Sequence, residues 1–430
     1  MRFNNLQDWL SWQESLNPKE IELGLSRVSE VLNKLSFSSD FFCPVISVAG
    51  TNGKGSTVAF AESILLQANI SVGCYTSPHL YKYNERIRIN QQPVSDQVLC
   101  EAFEVIDQAR DNVPLTYFEF GTLAALVVFK RFNVDIAVLE VGLGGRLDAV
   151  NVIDADVAVI TSIGIDHIDW LGDDVELIGR EKAGIMRAGK PAVIGFFNPP
   201  ESVLTYGEQL NVKQFRLGQD YLYQCLANDV WKFSYSGSGQ DVLLLGDLPV
   251  PNLLGSFQLQ NAAAAIMAIR ALSLPNAPDE QQIKQGLQQV KLMGRYQLIS
   301  QSPQVIVDVA HNEQSAAMLA DLLNEQAVCG KTIAVIAMLA DKDTAAVLKK
   351  LNPQIDCWFT AGLDVSRGMD SKNMEQAVRG LHAGVKLVAC ETVTDACVRA
   401  LAEASVNDRI IVCGSFYTVA EASRFFNVNS

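Results

Sequence analysis

Residues 45–57 read VISVAGTNGKGST, an apolar run followed by the glycine-rich stretch GTNGKGST at 50–57. The ordinary phosphate-loop spacing, G-x-x-x-x-G-K-[ST], is not met. Val48 stands where its first glycine belongs, and Gly55 separates Lys54 from Ser56. The setting is nevertheless that of a phosphate cradle. A strand-like run precedes it and a helix-like segment follows, so converging backbone N–H groups and a helix N-terminus would face an anion. Lys54 supplies a point charge for the outer phosphates, and Ser56 or Thr57 a hydroxyl for Mg²⁺. The bland alternative is a glycine-rich strand-to-helix turn that binds nothing.

Outward from this loop, short apolar runs alternate with helix-length amphipathic segments: 45–49, 71–76, 136–141, 157–163 and 192–196. That alternation predicts βαβ units and a mostly parallel sheet, with strands apolar on both faces. Before it, Trp9, Trp12 and Leu16 have helical spacing. Residues 200–255 break the pattern. Runs at 214–217, 230–235 and 242–245, with a turn at 236–239, predict a small antiparallel section. An alanine-rich helix is expected from Leu259 to about Leu272. A second α/β series begins near 294, with strands expected at 305–309, 332–338, 357–360, 386–389 and 410–413. The predicted fold is therefore α/β with two domains. Residues 1–293 form a P-loop-type parallel sheet with the antiparallel section, and 294–430 a Rossmann-like domain.

Composition narrows the function classes. The 430 residues suit two domains, and 49% hydrophobic content suits filled cores. A net charge of −14 argues against a nucleic-acid partner, which needs a basic footprint. MRFNNLQDWLSWQESL lacks the basic-then-apolar pattern of a signal peptide, and no run reaches the roughly 18 apolar residues of a membrane span. The nine cysteines contain no C-x-x-C pair. A reduced, cytoplasmic protein without a membrane partner is expected.

Several strand ends carry chemistry. LEVG at 139–142 closes an apolar run on Glu140, and a carboxylate beside a phosphate loop suits Mg²⁺. SIGIDH at 162–167 places His167 as a metal ligand or a packed histidine. Ser77, in YTSPH, closes another strand as a possible hydroxyl ligand or a simple turn. Lys182, in REKAGI, reads as a solvated helix lysine. In the second series, VDVAHN at 307–312 sets Asp308 and His311 just past a strand. Arg295 lies at the junction, and MLADKD at 338–343 is a further charged strand end. Two such edges facing each other would form a cleft for a ligand.

Together, VAGTNGKGS, YTSPHL, LTYFEFGT, LEVGLGGRLDAVN, SIGIDHIDWLG, GREKAGI, GRYQLI, DVAHN, MLADKD and VCGSFYTVAE resemble the folylpolyglutamate synthases, the folate branch of the Mur ligase superfamily. They are most similar to the bacterial bifunctional members that are also dihydrofolate synthases. The resemblance runs from about residue 21 to 422. The resemblance implies an ATP-dependent ligase that adds L-glutamate to dihydropteroate and to reduced folates through an acyl phosphate. It implies Mur-type central and C-terminal domains. It places ATP at Thr51, Asn52, Gly53, Lys54, Gly55, Ser56, Asn261, Arg295 and Asp308. It implies Mg²⁺, as two ions, on Ser77, Glu140 and His167, and on Lys182 carried as a carbamate. Lys54, Lys182, His167 and His311 would be catalytic, with His311 near the glutamate and the γ-phosphate. The pterin would lie among Ile21, Glu22, Leu23, Thr116, Tyr117, Phe118, Glu119, Leu147, Asp148 and Ala149, with Phe118 offering a flat face. A monomer is expected. The rivals are a monofunctional folylpolyglutamate synthase, a Mur-type ligase acting on a nucleotide-linked muramyl substrate, and an ATP-binding regulatory module. A P-loop kinase fits neither the loop spacing nor the second domain.

Overall fold

The computed structural model describes residues 1–430 except 18, 20, 227–229, 238–241, 382, 383, 385, 429 and 430, and leaves the side chains of 427 and 428 undescribed. The turn expected at 236–239 therefore falls partly outside the described residues. The chain forms two compact units. One comprises Met1–Gly164, Leu171–Asn252 and Ser256–Lys291, the other Ile165–Trp170, Leu253–Gly255 and Leu292–Ser430.

The first unit is organised by Val45–Ala49, whose five residues are all buried. β-Branched side chains favour this extended, doubly covered position. It pairs in parallel with Ile136–Glu140 on one side and Val157–Ile160 on the other. The sheet has eight strands, in the order Gln92–Pro93, Ile87–Ile89, Val72–Tyr75, Ile136–Glu140, Val45–Ala49, Val157–Ile160, Ala192–Ile194, Gln214–Arg216. The last six are parallel. From Val45–Ala49 the chain builds one half of the sheet, then crosses back and builds the other. The loop after this strand thus lies where the strand order reverses, the place where open α/β sheets bind ligands.

Two details differ from the sequence expectation. Gln214–Arg216 is not part of the antiparallel section but the outermost parallel strand, hydrogen-bonded to Ala192–Ile194. Three residues are too few for periodicity to distinguish the two cases. The separate antiparallel sheet is Tyr221–Cys225, Val230–Ser236 and Val242–Pro249. The hairpin Ile87–Ile89/Gln92–Pro93, which closes the other edge of the large sheet, was not expected either.

Helices cover the sheet. Trp9, on Leu6–Leu16, is fully buried and packs on Phe103 of Asp96–Arg110, with ring centroids 5.9 Å apart. Lys54–Gln67 is buried at ten successive positions, 56–65. It is buried around its circumference because it is packed by the sheet and by Ser256–Ala271 and Glu280–Gln289, and its buried carboxylate, Glu62, is paired with Arg88 at 2.8 Å. At Gly286 the second of these helices touches it backbone to backbone. An added Cβ would stand 2.6 Å from Ile64 Cα, and Ser63 Oγ donates to the Gly286 carbonyl at 2.7 Å.

The second unit holds a six-stranded sheet, in the order Gln297–Gln301, Gln304–Val307, Arg409–Cys413, Thr332–Ile336, Cys357–Thr360, Leu387–Ala389. All but the first strand run parallel. That first strand is an antiparallel hairpin partner that sequence patterning did not expose, because its residues are half-buried or exposed. No helix among the described residues is long and apolar enough to cross a membrane. All nine cysteines are free thiols.

The contact at Gly286 yields a prediction. Gly286→Val should destabilise the first unit by about 1–3 kcal/mol, the range for overpacking, and so lower the midpoint of its urea transition. Valine is chosen because alanine would recover up to about 1 kcal/mol of helix propensity and mask the clash. An unchanged midpoint would show that these helices do not need their close approach.

Candidate active site

The turn 50–53 is bonded to the end of the neighbouring strand. Thr51 N–H donates to the Ser162 carbonyl at 2.9 Å, and Asn52 N–H to Ser162 Oγ at 2.9 Å. Thr161 Oγ1 and Ser162 Oγ donate to the Asn52 carbonyl at 2.6 and 3.0 Å, and Thr51 Oγ1 to the Gly164 carbonyl at 3.0 Å. Glycine is required by two close approaches. A Cβ on Gly50 would lie 2.0 Å from Thr161 Oγ1, and one on Gly53 2.4 Å from Asn261 Oδ1. Gly53 also has φ +86° as the residue before the helix Lys54–Gln67, a conformation glycine adopts without strain. Lys54 Nζ donates to the Gly50 and Thr51 carbonyls at 2.9 and 3.2 Å, so its charge lies over the turn. The approach at Gly53 brings Asn261, on Ser256–Ala271, to the same loop.

Glu140 ends its strand buried, 5% exposed, and accepts from Ser77 N–H at 3.2 Å. The turn after it, GLGGRLD, packs on the helix Val175–Ala183. A Cβ on Gly145 would meet the Glu181 carbonyl at 2.7 Å and Lys182 Cα at 3.0 Å, and Arg146 N–H donates to the Glu181 carbonyl at 2.8 Å. Lys182 is buried, 5% exposed, which corrects the expectation of a solvated lysine: the turn packed beside it excludes water. The loop, Ser77, Glu140, Lys182 and Asn261 are thus gathered at the carboxyl end of one sheet. A carboxylate and a hydroxyl are hard oxygen donors that suit Mg²⁺, which usually keeps waters and takes substrate phosphates. Among the described residues no group of three or more His, Cys, Asp or Glu forms a cage.

The stretches implied for the pterin also meet. Gly24 N–H donates to the Leu147 carbonyl at 3.0 Å. Thr116 and Glu119 cap the helix Tyr117–Phe132 reciprocally: Thr116 N–H donates to Glu119 Oε2 at 2.8 Å, and Glu119 N–H to Thr116 Oγ1 at 3.2 Å. The outer two residues of TYFE are therefore occupied with the backbone, and the inner two present aromatic rings. Phe118, half-buried, lies 5.7 Å from the Tyr75 ring and against Gly142, where a Cβ would stand 2.6 Å from it. Tyr117 lies 5.5 Å from the Tyr83 ring. Ala149 starts a buried 3₁₀ turn capped by Asp148.

In the second unit, Asp308 is buried and accepts from Tyr296 N–H and Ala310 N–H, each at 2.8 Å. Burial pushes its carboxyl up, while Arg295 and the two amides pull it down. Arg295 lies over the Phe416 ring at 5.3 Å. His167 belongs to this unit, through the segment Ile165–Trp170, whereas Ser77 and Glu140 belong to the first. His167 and Tyr296 both have positive φ, +54° and +42°, strained for non-glycine residues and common at functional sites.

Sequence reasoning passed over the centre of this group, Asp166. Lys342 Nζ donates to its Oδ1 at 2.5 Å and Asn312 Nδ2 to its Oδ2 at 2.9 Å, and His311 Nε2 lies 3.4 Å from Oδ2. Burial pushes this carboxyl up, but His311, Lys342 and His167 together hold it far below the carboxylate range. The signal was present in IDH and ADKD as opposite charges, but 176 residues separate Asp166 from Lys342.

The geometry can be set beside known proteins. Residues 48–269 match the Mur ligase middle domain, and 294–416 the Mur ligase glutamate ligase domain. The chain is 43% identical over 416 residues to dihydrofolate synthase/folylpolyglutamate synthase of Escherichia coli K12, covering 96% of this chain and 94% of that protein. It is 39% identical to the Haemophilus influenzae enzyme of the same name, covering 97% and 96%. Among solved structures it resembles Escherichia coli FolC in complex with DHPP and ADP: TM-score 0.92, 41% identity, 99% of this chain and 98% of that one covered. It also resembles a bifunctional folylpolyglutamate synthase/dihydrofolate synthase with Mn, AMPPNP and L-glutamate bound: TM-score 0.89, 40% identity, with the same coverage.

Asp148 is buried in the turn that follows Glu140, where Leu143 and Val150 N–H donate to it at 2.9 and 3.0 Å. Burial pushes its carboxyl up to about 6, against the pull of the Leu143, Val150 and Gly142 amides and of Lys54. The folded value thus lies above the unfolded one, near 3.9. Its contribution to stability is full below about pH 4 and is lost as pH rises through about 6. Carboxyl ¹³C titration, assigned with Asp148→Asn, should show a midpoint near 6. A midpoint in the ordinary carboxylate range would contradict the buried setting.

Proposed function

The chain belongs to the Mur ligase family, in its dihydrofolate synthase/folylpolyglutamate synthase branch, and from that premise we propose that it joins L-glutamate to dihydropteroate and to reduced folates at the expense of ATP. One structural observation carries this reading beyond the family: the aromatic stretch at Phe118 packs against Gly142, just past the strand Ile136–Glu140, which pairs directly with the strand leading into the phosphate loop. A pterin acceptor held at the first and a triphosphate held at the second would present carboxylate to γ-phosphate.

The barrier to that meeting is the repulsion of two anions. Lys54 and the amides of residues 51–56 offset charge on the phosphates as it develops, the kind of fixed electrostatics that contributes most in such sites. The acceptor carboxylate attacks the γ-phosphorus and ADP leaves, giving an acyl phosphate. The glutamate amine then attacks the acyl carbon and inorganic phosphate leaves. Mg²⁺ on Ser77, Glu140 and His167, with a second ion on the Lys182 carbamate, would neutralise phosphate charge. Asn261, which touches the loop at Gly53, suits an adenine-side contact. Arg295, Asp308 and His311 would serve the nucleotide and glutamate from the second unit. Positioning matters as much as charge in phosphoryl transfer. The bonds that hold turn 50–53 to residues 161–164 supply it. The −14 charge supports small-molecule partners over nucleic acid, and the free thiols support a reducing cytoplasm. We take the working form to be a monomer.

Steady-state ADP release over many turnovers should require glutamate together with either dihydropteroate or tetrahydrofolate. A monofunctional enzyme would respond only to the second, and a regulatory module to neither. Lys54→Ala should lower kcat about 100- to 1,000-fold, equivalent to about 2.7–4 kcal/mol of transition-state stabilisation; near-normal turnover would overturn the loop's role.

The carbamate reading draws on the family resemblance and on the position of buried Lys182 beside the turn at Gly145, where carbamylation would convert the side chain to an anion that a metal can share. Lys182→Ala should be impaired, and short carboxylates such as acetate should restore part of its activity. A fully active variant would remove the carbamate from the mechanism.

A further inference from the structure

Arg27 lies outside every stretch assigned above, yet its guanidinium joins two of them. Nη2 donates to the Glu22 carbonyl at 2.7 Å, and Nη1 reaches Glu22 Oε2 at 3.1 Å. On its other side Nε donates to Glu119 Oε2 at 3.2 Å, and Nη2 lies 3.0 Å from Glu119 Oε1. The Arg27 side chain is 17% exposed and that of Glu119 3%, so this is not a solvated surface pair. The remaining ties of the segment run the same way. Asn17 Nδ2 donates to Glu22 Oε2 at 3.1 Å and to the Pro114 carbonyl at 3.0 Å, and Gly24 N–H donates to the Leu147 carbonyl. The segment carrying Ile21, Glu22 and Leu23 is thus a strap fastened at Pro114, Glu119 and Leu147, with Arg27 as its central fastening.

We propose that Arg27 is a positioning residue for the acceptor site: it fastens the strap to the start of the Tyr117–Phe132 helix and so sets the affinity for the pterin portion of the substrate without touching it. The inference rests on the pterin reading of these stretches. The planar fork is essential to it. Five donors in fixed directions serve a carbonyl and two carboxylates at once, which a lysine ammonium, though equally charged, does not do. Glu119 is already committed to the cap, so the position of the strap follows from Arg27. Among the described residues none of these ties runs to the phosphate loop, and ATP handling should not depend on them.

The test is steady-state kinetics of the full chain with dihydropteroate, ATP and glutamate varied in turn. In Arg27→Lys the KM for dihydropteroate should rise about 10-fold or more, with kcat within about 3-fold and the KM values for ATP and glutamate unchanged, a loss of binding alone. Arg27→Ala would leave the buried Glu119 unpaired and so risks misfolding. Glu22→Gln is the second variant instead, because it removes the charge at Oε2 while the tie to the Glu22 carbonyl stays, weakening the strap end of the fork without stranding a buried charge. It should shift the same KM in the same direction. An unchanged pterin KM in both variants overturns the proposal, as does a loss that falls equally on kcat and all three KM values. Failure of the pterin reading itself looks different: the unmodified protein would then release no ADP with dihydropteroate.

Discussion

The structure depends on a close approach of backbone to side chain at the end of Val45–Ala49. Gly50 lies so near Thr161 that no Cβ fits between them, and the hydroxyls of Thr161 and Ser162 take up the Asn52 carbonyl. This join holds the turn rigidly where the strand order reverses. The helix that follows is then compelled to start at Lys54, with the lysine folded over its own turn. Everything assigned to the first unit's site is arranged from that point, because the neighbouring strands Ile136–Glu140 and Val157–Ile160 end in register with it.

Electrostatics sets the buried carboxyls of each unit apart. Asp148 in the first and Asp308 in the second are buried among backbone amides, so their charge is opposed by desolvation and supported by N–H groups. Asp166 is the opposite case: buried, but surrounded by Lys342, Asn312 and His311, and held as an anion. In a chain of net charge −14, the loop amides and Lys54 concentrate donors locally, and a local field of this kind can oppose the global one.

Much of the fold was legible in the sequence. The central strands of both sheets are buried on both faces, so they read as continuous apolar runs, and their positions agree within a few residues. What escaped were the edges: Gln214–Arg216, the hairpin at 87–93 and Gln297–Gln301. These are short or half-exposed, and their partners rather than their own periodicity decide how they pair. Within the site, the polar residues at strand ends were legible because strand, turn and helix signals bracket them. Lys182 was misread from local pattern alone, since its burial comes from the turn at Gly145, far away in sequence.

The sequence by itself determined the α/β architecture, the glycine turn with its lysine, and the strand-end carboxylates, because these follow from local rules of periodicity, chirality and backbone freedom. Only the tertiary structure decided which of those groups meet. It gave Thr116 and Glu119 to a helix cap, gathered Asp166 with Lys342, and laid Arg27 between Glu22 and Glu119. The reason is physical: hydrogen bonds and ion pairs act over a few ångströms of space, and separations of 92 or 176 residues along the chain carry no trace of them.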